Sequence, residues 1–164
     1  MVFFAIGFET TTPPTAAVIQ QAEKLQLSNF SVFCNHVLTP AAMDSLLQTQ
    51  NTEAGSVNLD GFVGPAHVSI VIGSRAYEAV SQRYKKPIVI SGFEPLDVLH
   101  SVLMLIELIN SNRSIVENQY TRAVTREGNL RSQAMMAEVF ELRASFEWRG
   151  LGQIPESALK IKST

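Results

Sequence analysis

Short apolar runs alternate along the chain with polar, mostly glycine-containing clusters. Four such clusters each follow an apolar run: GFETT at 7–11, NH at 35–36, GPAH at 64–67 and SGFEP at 91–95. An apolar run rich in Val, Ile and Phe, then a polar loop and an amphipathic segment, is typical of a strand–loop–helix unit. In an open parallel sheet the loops that follow the strands lie along one edge, so we expect these clusters to converge there.

The alternation predicts an α/β fold. Apolar runs at 2–6, 30–34, 59–63 and 88–91 are the predicted strands, and helical patterns separate them. Short loops and the lack of a clear hairpin signal favour a parallel sheet with helices on both faces, a Rossmann-like three-layer single domain. We place this sheet domain at residues 1–125. Residues 126–164 are expected to form a helix and a segment that connects to further parts of a longer protein.

Finer expectations follow from local patterns. Residues 48–58 are polar and predict a loop, 116–124 a strand, 129–140 a helix, and 146–148 a short strand or turn. The helix predicted near 95–110 is expected to turn most of its large aliphatic side chains toward the core. These side chains are Leu96, Leu99, Leu103, Ile106 and Leu108.

Composition narrows the class of protein. The chain has 164 residues, of which 46% are hydrophobic and 17% charged, which is typical of one globular domain. A net charge of -2 without a basic stripe argues against nucleic acid or an anionic membrane as the main partner. One cysteine forms no internal disulfide, and we find neither a secretory signal nor a membrane-spanning run, so we expect a cytoplasmic protein. The abrupt start and end suggest a domain cut from a longer chain.

Glu9 and Glu94 occupy matching positions, each after Gly-Phe at the end of a predicted strand. Helix N-termini attract carboxylates, so Glu9 and its neighbouring threonines can be read simply as caps of the following helix. Two matched glutamates at one sheet edge also fit a functional site. The residues alone leave both interpretations open.

The two predicted strand-end histidines, His36 and His67, have two interpretations as well. Two imidazoles and a carboxylate are a possible iron or zinc ligand set, but the tight local spacing typical of metal sites is absent. We favour a proton-handling or ligand-orienting role. Cys34 ends an apolar strand and is expected to be inert core, although it shares a strand face with His36.

Other motifs give little support for nucleotide chemistry. The chain has no Walker loop, no Gly-x-Gly-x-x-Gly and no Cys-x-x-Cys. Trp148, the single tryptophan, fits either a domain-interface anchor or a local core plug.

The clusters, in their order, resemble the hydrogenase-formation protein family HypD. The matching stretches are GFETTTPPTA (7–16), NHVLTPAAM (35–43), DGFVGPAHVSIVIG (60–73), SGFEPLDVL (91–99), VENQYTRAV (116–124) and FEWRGLGQIP (146–155). They are spread over nearly the whole chain.

The resemblance implies a function in metalloenzyme assembly. Members of this family act as a scaffold on which iron acquires cyanide and carbon monoxide ligands for nickel–iron hydrogenases. They work with the chaperone HypC and with HypE, which helps to deliver cyanide, and the complete protein carries a four-iron, four-sulfur cluster. This chain resembles the second α/β domain of that family. It is more a scaffold component than an enzyme in its own right, and no cofactor or metal site is expected within it.

The family motifs map onto residues expected to line a cleft. They are Glu9, Thr10, Thr11, Pro65, His67, Val68, Ser69, Glu94, Pro95 and Asp97, and His36 joins them on the reasoning given above. The family's own cysteine motifs are absent, so Cys34 inherits no ligand role, and Ala66 stands where glycine is more usual. The alternative is an independent small-molecule-binding α/β domain or enzyme that uses the same strand-end pocket.

Overall fold

The structure, a computed structural model, describes residues 1–49 and 58–162. These residues form two compact units, Met1–Ala42 with Leu130–Thr164 and Met43–Asn129, which we call the first and second units. Most of the polar loop predicted at 48–58 lies outside the described residues, as do residues 163 and 164. The predicted division at residue 125, with a connecting segment after it, stays a prediction.

Strands and helices alternate through most of the chain. In chain order they are β1 (Val2–Gly7), α1 (Thr12–Lys24), β2 (Ser31–His36), α2 (Thr39–Thr49), β3 (Phe62–Pro65), α3 (Ala66–Ile72), a 3₁₀ turn (Ser74–Tyr77), α4 (Glu78–Tyr84), β4 (Ile88–Ser91), α5 (Pro95–Asn110), β5 (Val116–Asn118), α6 (Leu130–Val139), β6 (Phe140–Leu142), β7 (Ser145–Trp148), β8 (Gly152–Pro155) and β9 (Leu159–Ile161).

The first unit is built on a parallel pair. β1 pairs with β2 in a register that places Ala5 opposite Cys34 and Gly7 opposite His36. Two antiparallel ladders, β6–β9 and β7–β8, complete its strands. The core gathers side chains from α1, β2, α6 and the later strands: Ala16, Cys34, Val139, Phe140 and Leu159.

The second unit holds a parallel sheet of three strands in the order β3–β4–β5. All four residues of the central strand β4 are buried, so both of its faces are covered. Ile88 and Ile90 join a core with side chains from α2, α3 and α4, while α5 contacts β3 and β4. This arrangement confirms the predicted α/β class with parallel strands and flanking helices.

The prediction that most large aliphatic side chains of α5 face the core is wrong. Leu96, Leu99 and Leu103 are 78%, 66% and 54% exposed, and Ile106 is also exposed, so Leu108 is the buried member of the predicted set. The helix instead buries Asp97 and Ser101 together with Leu108. An apolar helix offers more than one face of suitable spacing, and here the face with the small and polar residues packs inward.

The C-terminal part also differs from expectation. The strand predicted over 116–124 is confined to Val116–Asn118, and β7–β8 is an antiparallel hairpin that the sequence pattern does not reveal. Its turn places Gly150 and Gly152 at φ of 82° and 73°, a backbone region that glycine reaches without strain. In residues 1–49 and 58–162, every helix is too short or too polar to pass through a bilayer.

Candidate functional site

Polar side chains gather at the carboxyl ends of β1 and β2. We define the Glu9 cluster as Glu9, Thr11, Thr15, His36 and Thr39, all in the first unit. Because β1 and β2 run parallel, the loops that follow them leave the same edge. The convergence predicted for the first two polar motifs is therefore present within this unit.

Glu9 caps a helix, but the helix is not its own. Its carboxylate is 1% exposed and accepts hydrogen bonds from the Thr39 backbone N–H at 2.8 Å and from the Thr39 hydroxyl at 2.9 Å. Thr39 is the first residue of α2, whereas the N-cap of α1, Thr11, makes no capping side-chain hydrogen bond. Burial raises the pKa of Glu9, and the bonds from Thr39 oppose this rise. The cluster thus holds a buried carboxylate whose two oxygens each accept a hydrogen bond from Thr39.

His36 is also enclosed, with 1% of its surface exposed. Its Nδ1 lies 3.3 Å from the Gly7 carbonyl oxygen, and its Nε2 lies 2.9 Å from the Thr15 hydroxyl. A carbonyl oxygen can only accept, so the Gly7 contact is a hydrogen bond when Nδ1 carries the proton, and Nε2 then accepts the Thr15 hydroxyl proton in place of the Thr11 carbonyl, which lies 2.9 Å from that hydroxyl. Burial lowers the pKa of His36, which favours the neutral ring, and the bond to Gly7 partly offsets this effect. The imidazole is held by hydrogen bonds of the kind expected for a proton-handling group, and that role stays a prediction.

The two threonines beside Glu9 differ in exposure. The Thr11 hydroxyl is exposed and donates to the Phe8 carbonyl at 2.9 Å, while Thr10 is half-buried. Thr11 Oγ1 also lies 3.5 Å from His36 Nδ1. Thr11 therefore fixes the turn after β1 and links it to the histidine.

A second polar group lies in the second unit. We define the Asp97 cluster as Glu94, Asp97, Gln119, Tyr120 and Arg122. Arg122 donates to both oxygens of Asp97, at 2.8 and 2.6 Å, and Gln119 donates to one of them at 3.0 Å. These donors lower the pKa of Asp97 to about 2, with the Arg122 hydrogen bonds as the largest cause. Arg122 also lies over the Tyr120 ring, 4.0 Å from its centre.

Several motif side chains around the buried Asp97 carboxylate are exposed to solvent. The Glu94 side chain is 78% exposed and accepts from Arg122 at 3.3 Å. His67, exposed on α3, lies with its ring centre 5.3 Å from that of Phe93. The start of α3, directly after β3, and the loop after β4 therefore meet, as expected for neighbouring parallel strands. Pro95 is exposed and opens α5 at its first position.

The remaining motif residues of the third stretch pack inside the unit. Val68 and Ser69 are each 0% exposed, and the Ser69 hydroxyl donates to the Pro65 carbonyl at 2.7 Å. Pro65, half-buried, is the last residue of β3. Ala66 begins α3 and is not among the described residues with positive φ, so a side chain is accommodated where glycine is more usual. Val68 and Ser69 therefore stabilise the junction between β3 and α3 from within.

Several members of the two clusters do not stand out in the sequence. The Thr-Pro pair at 39–40 indicates a cap of its own helix, yet Thr39 is the donor to Glu9. Gln119, Tyr120 and Arg122 fall within 116–124, where the sequence predicts a strand, but β5 ends at Asn118 and these residues follow it. The charge pattern was the one sequence signal that could have identified the pair of Arg122 and Asp97. Arg122 lies in a polar loop after an apolar strand, where an arginine is well placed to bind a buried aspartate such as Asp97.

Comparison with known proteins settles the family. All of residues 1–164 match HypD, described as the hydrogenase formation hypA family. The chain belongs to the HypD family. It is 63% identical over 162 residues to the hydrogenase maturation factor HypD of Azotobacter vinelandii, 60% over 164 residues to that of Cupriavidus necator, and 42% over 161 residues to that of Escherichia coli. These matches include 98–99% of this chain and 42–43% of each relative, so the chain spans less than half of their length.

The resemblance to HypD seen in the sequence is thus confirmed. The single cysteine of the chain can now be compared with the ligands that a four-iron, four-sulfur cluster requires. Cys34 is 7% exposed, belongs to the core of the first unit and donates to the Leu159 carbonyl at 3.4 Å. A four-iron cluster requires about four cysteine ligands, so this single thiol does not fit one. Within residues 1–49 and 58–162, no three His, Cys, Asp or Glu side chains are placed to hold a metal ion.

Proposed function

We propose that this chain is a component of a scaffold on which iron acquires cyanide and carbon monoxide ligands during maturation of nickel–iron hydrogenases. The observation that carries the proposal is the HypD family match over all 164 residues. The iron and its ligands are cargo in this proposal, and the ligand-supplying cysteines belong to parts of a complete family member outside this sequence. We expect HypC and HypE as partners, and a cytoplasmic location.

The two clusters differ in how far their charged groups are exposed, and this difference supports separate roles for them. In the Asp97 cluster, Asp97 binds Arg122 and leaves Glu94 and half of the Arg122 side chain at the surface. An exposed carboxylate beside an exposed guanidinium offers both an acceptor and a donor to a docked protein or to the nitrogen of an iron-bound cyanide. His67, exposed at the start of α3, adds an imidazole ring that offers a further hydrogen-bonding group to a docked protein.

The Glu9 cluster fits a different role. Glu9 and His36 are each 1% exposed, so neither side chain is open to bulk solvent. We propose that this cluster fixes the loops after β1 and β2 and provides groups that hold or pass a proton while the iron ligands are installed. The Glu9 carboxyl group, whose pKa is raised by burial, and the neutral His36 imidazole are the two titratable groups that the cluster offers for this role.

A matched pair of variants tests the proposal in a complete HypD protein that carries this segment. Glu94→Gln removes the exposed charge beside Arg122, and Glu107→Gln makes the same change on α5, outside the Asp97 cluster. In a host that lacks HypD, we expect hydrogenase activity to fall with Glu94→Gln and to persist with Glu107→Gln. Equal, full activity of both variants would contradict a role for the Asp97 cluster.

Calorimetric titration with HypC provides the second test. We expect saturable binding to this chain, weakened by Glu94→Gln by about fivefold, the factor that corresponds to one net polar contact. Binding to the complete protein but none to this chain would assign the contacts to other regions and refute the proposed docking role.

A further inference from the structure

The C-terminal hairpin β7–β8 contacts the loop that carries Glu9. The ring of Trp148, the last residue of β7, lies 6.4 Å from the ring of Phe8, measured between centres and tilted by 43°. Phe8 directly precedes Glu9 in the chain. The hairpin therefore reaches one side of the cluster through an aromatic pair, a contact within the first unit.

The same tryptophan is connected to the other side of the cluster. Its indole N–H donates to the hydroxyl of Ser157 at 2.8 Å, and this hydroxyl donates to the Ile154 carbonyl at 2.8 Å. Ser157 is 0% exposed, and both hydrogen-bonding functions of its hydroxyl are used. The backbone carbonyl of Ser157 accepts from the Leu38 N–H at 2.9 Å.

These contacts close a ring around the Glu9–Thr39 pair. Leu38 directly precedes Thr39, whose N–H and hydroxyl both bind Glu9. One side runs from Trp148 through Phe8 to Glu9, and the other runs from Trp148 through Ser157 and Leu38 to Thr39. An isolated bridge between Val37 and Ala158 supports the second side. A closed ring of contacts restricts the separation of two loops more than either side does alone.

We propose that Trp148 and Ser157 are positioning residues that hold the Glu9 carboxylate against Thr39. The inference rests on the proposed function only where it concerns maturation, because the geometry itself is a property of the chain. It replaces the two alternatives left open for Trp148 with a specific role, which is to fix the distance between the loops after β1 and β2. Neither Trp148 nor Ser157 touches the cargo in this scheme.

The test is amide hydrogen exchange at Thr39, whose N–H is bound to Glu9. Trp148→Phe keeps an aromatic ring beside Phe8 but removes the indole N–H, and Ser157→Ala removes its acceptor. In each variant we expect exchange at Thr39 to be faster by about fivefold, the factor of one net hydrogen bond. Amides within the β1–β2 ladder are expected to keep their wild-type rates, which separates a local effect from general destabilisation.

A control substitution lies on the same strand. Glu147→Gln changes an exposed residue next to Trp148, and exchange at Thr39 is expected to stay at the wild-type rate. Unchanged exchange at Thr39 in both Trp148→Phe and Ser157→Ala would overturn the inference. So would a uniform acceleration across the β1–β2 ladder, because that result indicates a purely structural role.

NMR titration of the Glu9 carboxyl group measures its pKa, which does not depend on the global stability of the protein. Burial is the largest cause of its raised pKa, so a loosened loop is expected to return the pKa toward its ordinary value. Maturation assays in a complete HypD protein then separate the two proposals. Faster Thr39 exchange with full hydrogenase activity would refute the use of the Glu9 cluster in maturation while the positioning contact stands.

Discussion

The hydroxyl of Thr39 provides the sharpest test of the geometry around Glu9. Thr39→Val keeps the size and branching of the side chain and the backbone N–H bond to Glu9, but it removes the hydroxyl that donates at 2.9 Å. One oxygen of a carboxylate that is 1% exposed then loses its donor. A hydrogen bond to a charged group contributes about 1.5–3 kcal/mol, so we expect the free energy of unfolding to fall by about that amount at pH 7.

A second substitution shows whether the charge is responsible. In Glu9→Gln the amide oxygen can accept the Thr39 N–H, and the amide NH₂ can donate to the Thr39 hydroxyl oxygen, so two neutral bonds replace two charged ones. Neutral bonds contribute about 0.5–1.5 kcal/mol each. Thr39→Val is therefore expected to cost about 1–1.5 kcal/mol less in the Glu9→Gln background than in the wild-type chain.

The assay is urea unfolding of the wild type, both single variants and the double variant. Trp148, the single tryptophan, lies in the same unit as Glu9, so its fluorescence reports the unfolding of that unit. Thr10→Val is the control, because Thr10 is half-buried in the same loop. A loss below about 0.5 kcal/mol in Thr39→Val, or equal losses in both backgrounds, would refute the assignment of a charged bond.

Three further outcomes concern the second unit. Gly92→Ala is expected to destabilise it, because an added Cβ would overlap the Asp97 carboxylate and the Tyr120 ring, and urea unfolding measures the loss. Ser101→Ala is expected to be neutral or stabilising by up to about 1–3 kcal/mol in the same assay, since the buried Ser101 hydroxyl has no hydrogen-bond partner among residues 1–49 and 58–162. The lowered pKa of Asp97 means that its contribution is complete above pH 3.8 and is lost as the pH falls toward 2. Asp97→Asn should therefore lose less stability than the wild type between these pH values, which acid unfolding curves will show.

The parts of the fold that depend on local pattern were predictable from the sequence. The apolar run at 2–6 matches β1 closely, and Thr-Pro pairs mark the starts of α1 and α2. Parallel pairing followed from the alternation of strands and helices, and it brought Glu9 close to the loop after β2. Such features are set by residue periodicity and turn chemistry, which a single sequence displays.

Features that depend on packing were not predictable in the same way. In α5, Leu96 and Leu99 are exposed while Asp97 and Ser101 are buried. The salt bridge from Arg122 to Asp97 and the close approach of the helix to the sheet determine which face of the helix packs inward. The partner of Glu9 was missed for the same reason. A carboxylate that caps the helix after the next strand depends on the pairing of β1 with β2, and no local pattern reveals it.

The first unit is discontinuous in sequence, since Met1–Ala42 and Leu130–Thr164 are separated by the whole of the second unit. The contacts between these two segments therefore have high sequence separation, and forming them closes a long loop at an entropic cost. The second unit is continuous and can complete its contacts as soon as Asn129 has been synthesised. During translation Ala16 and Cys34 must wait for Val139, Phe140 and Leu159 before their shared core is complete, which leaves part of the apolar core of the first unit uncovered and open to aggregation in this interval.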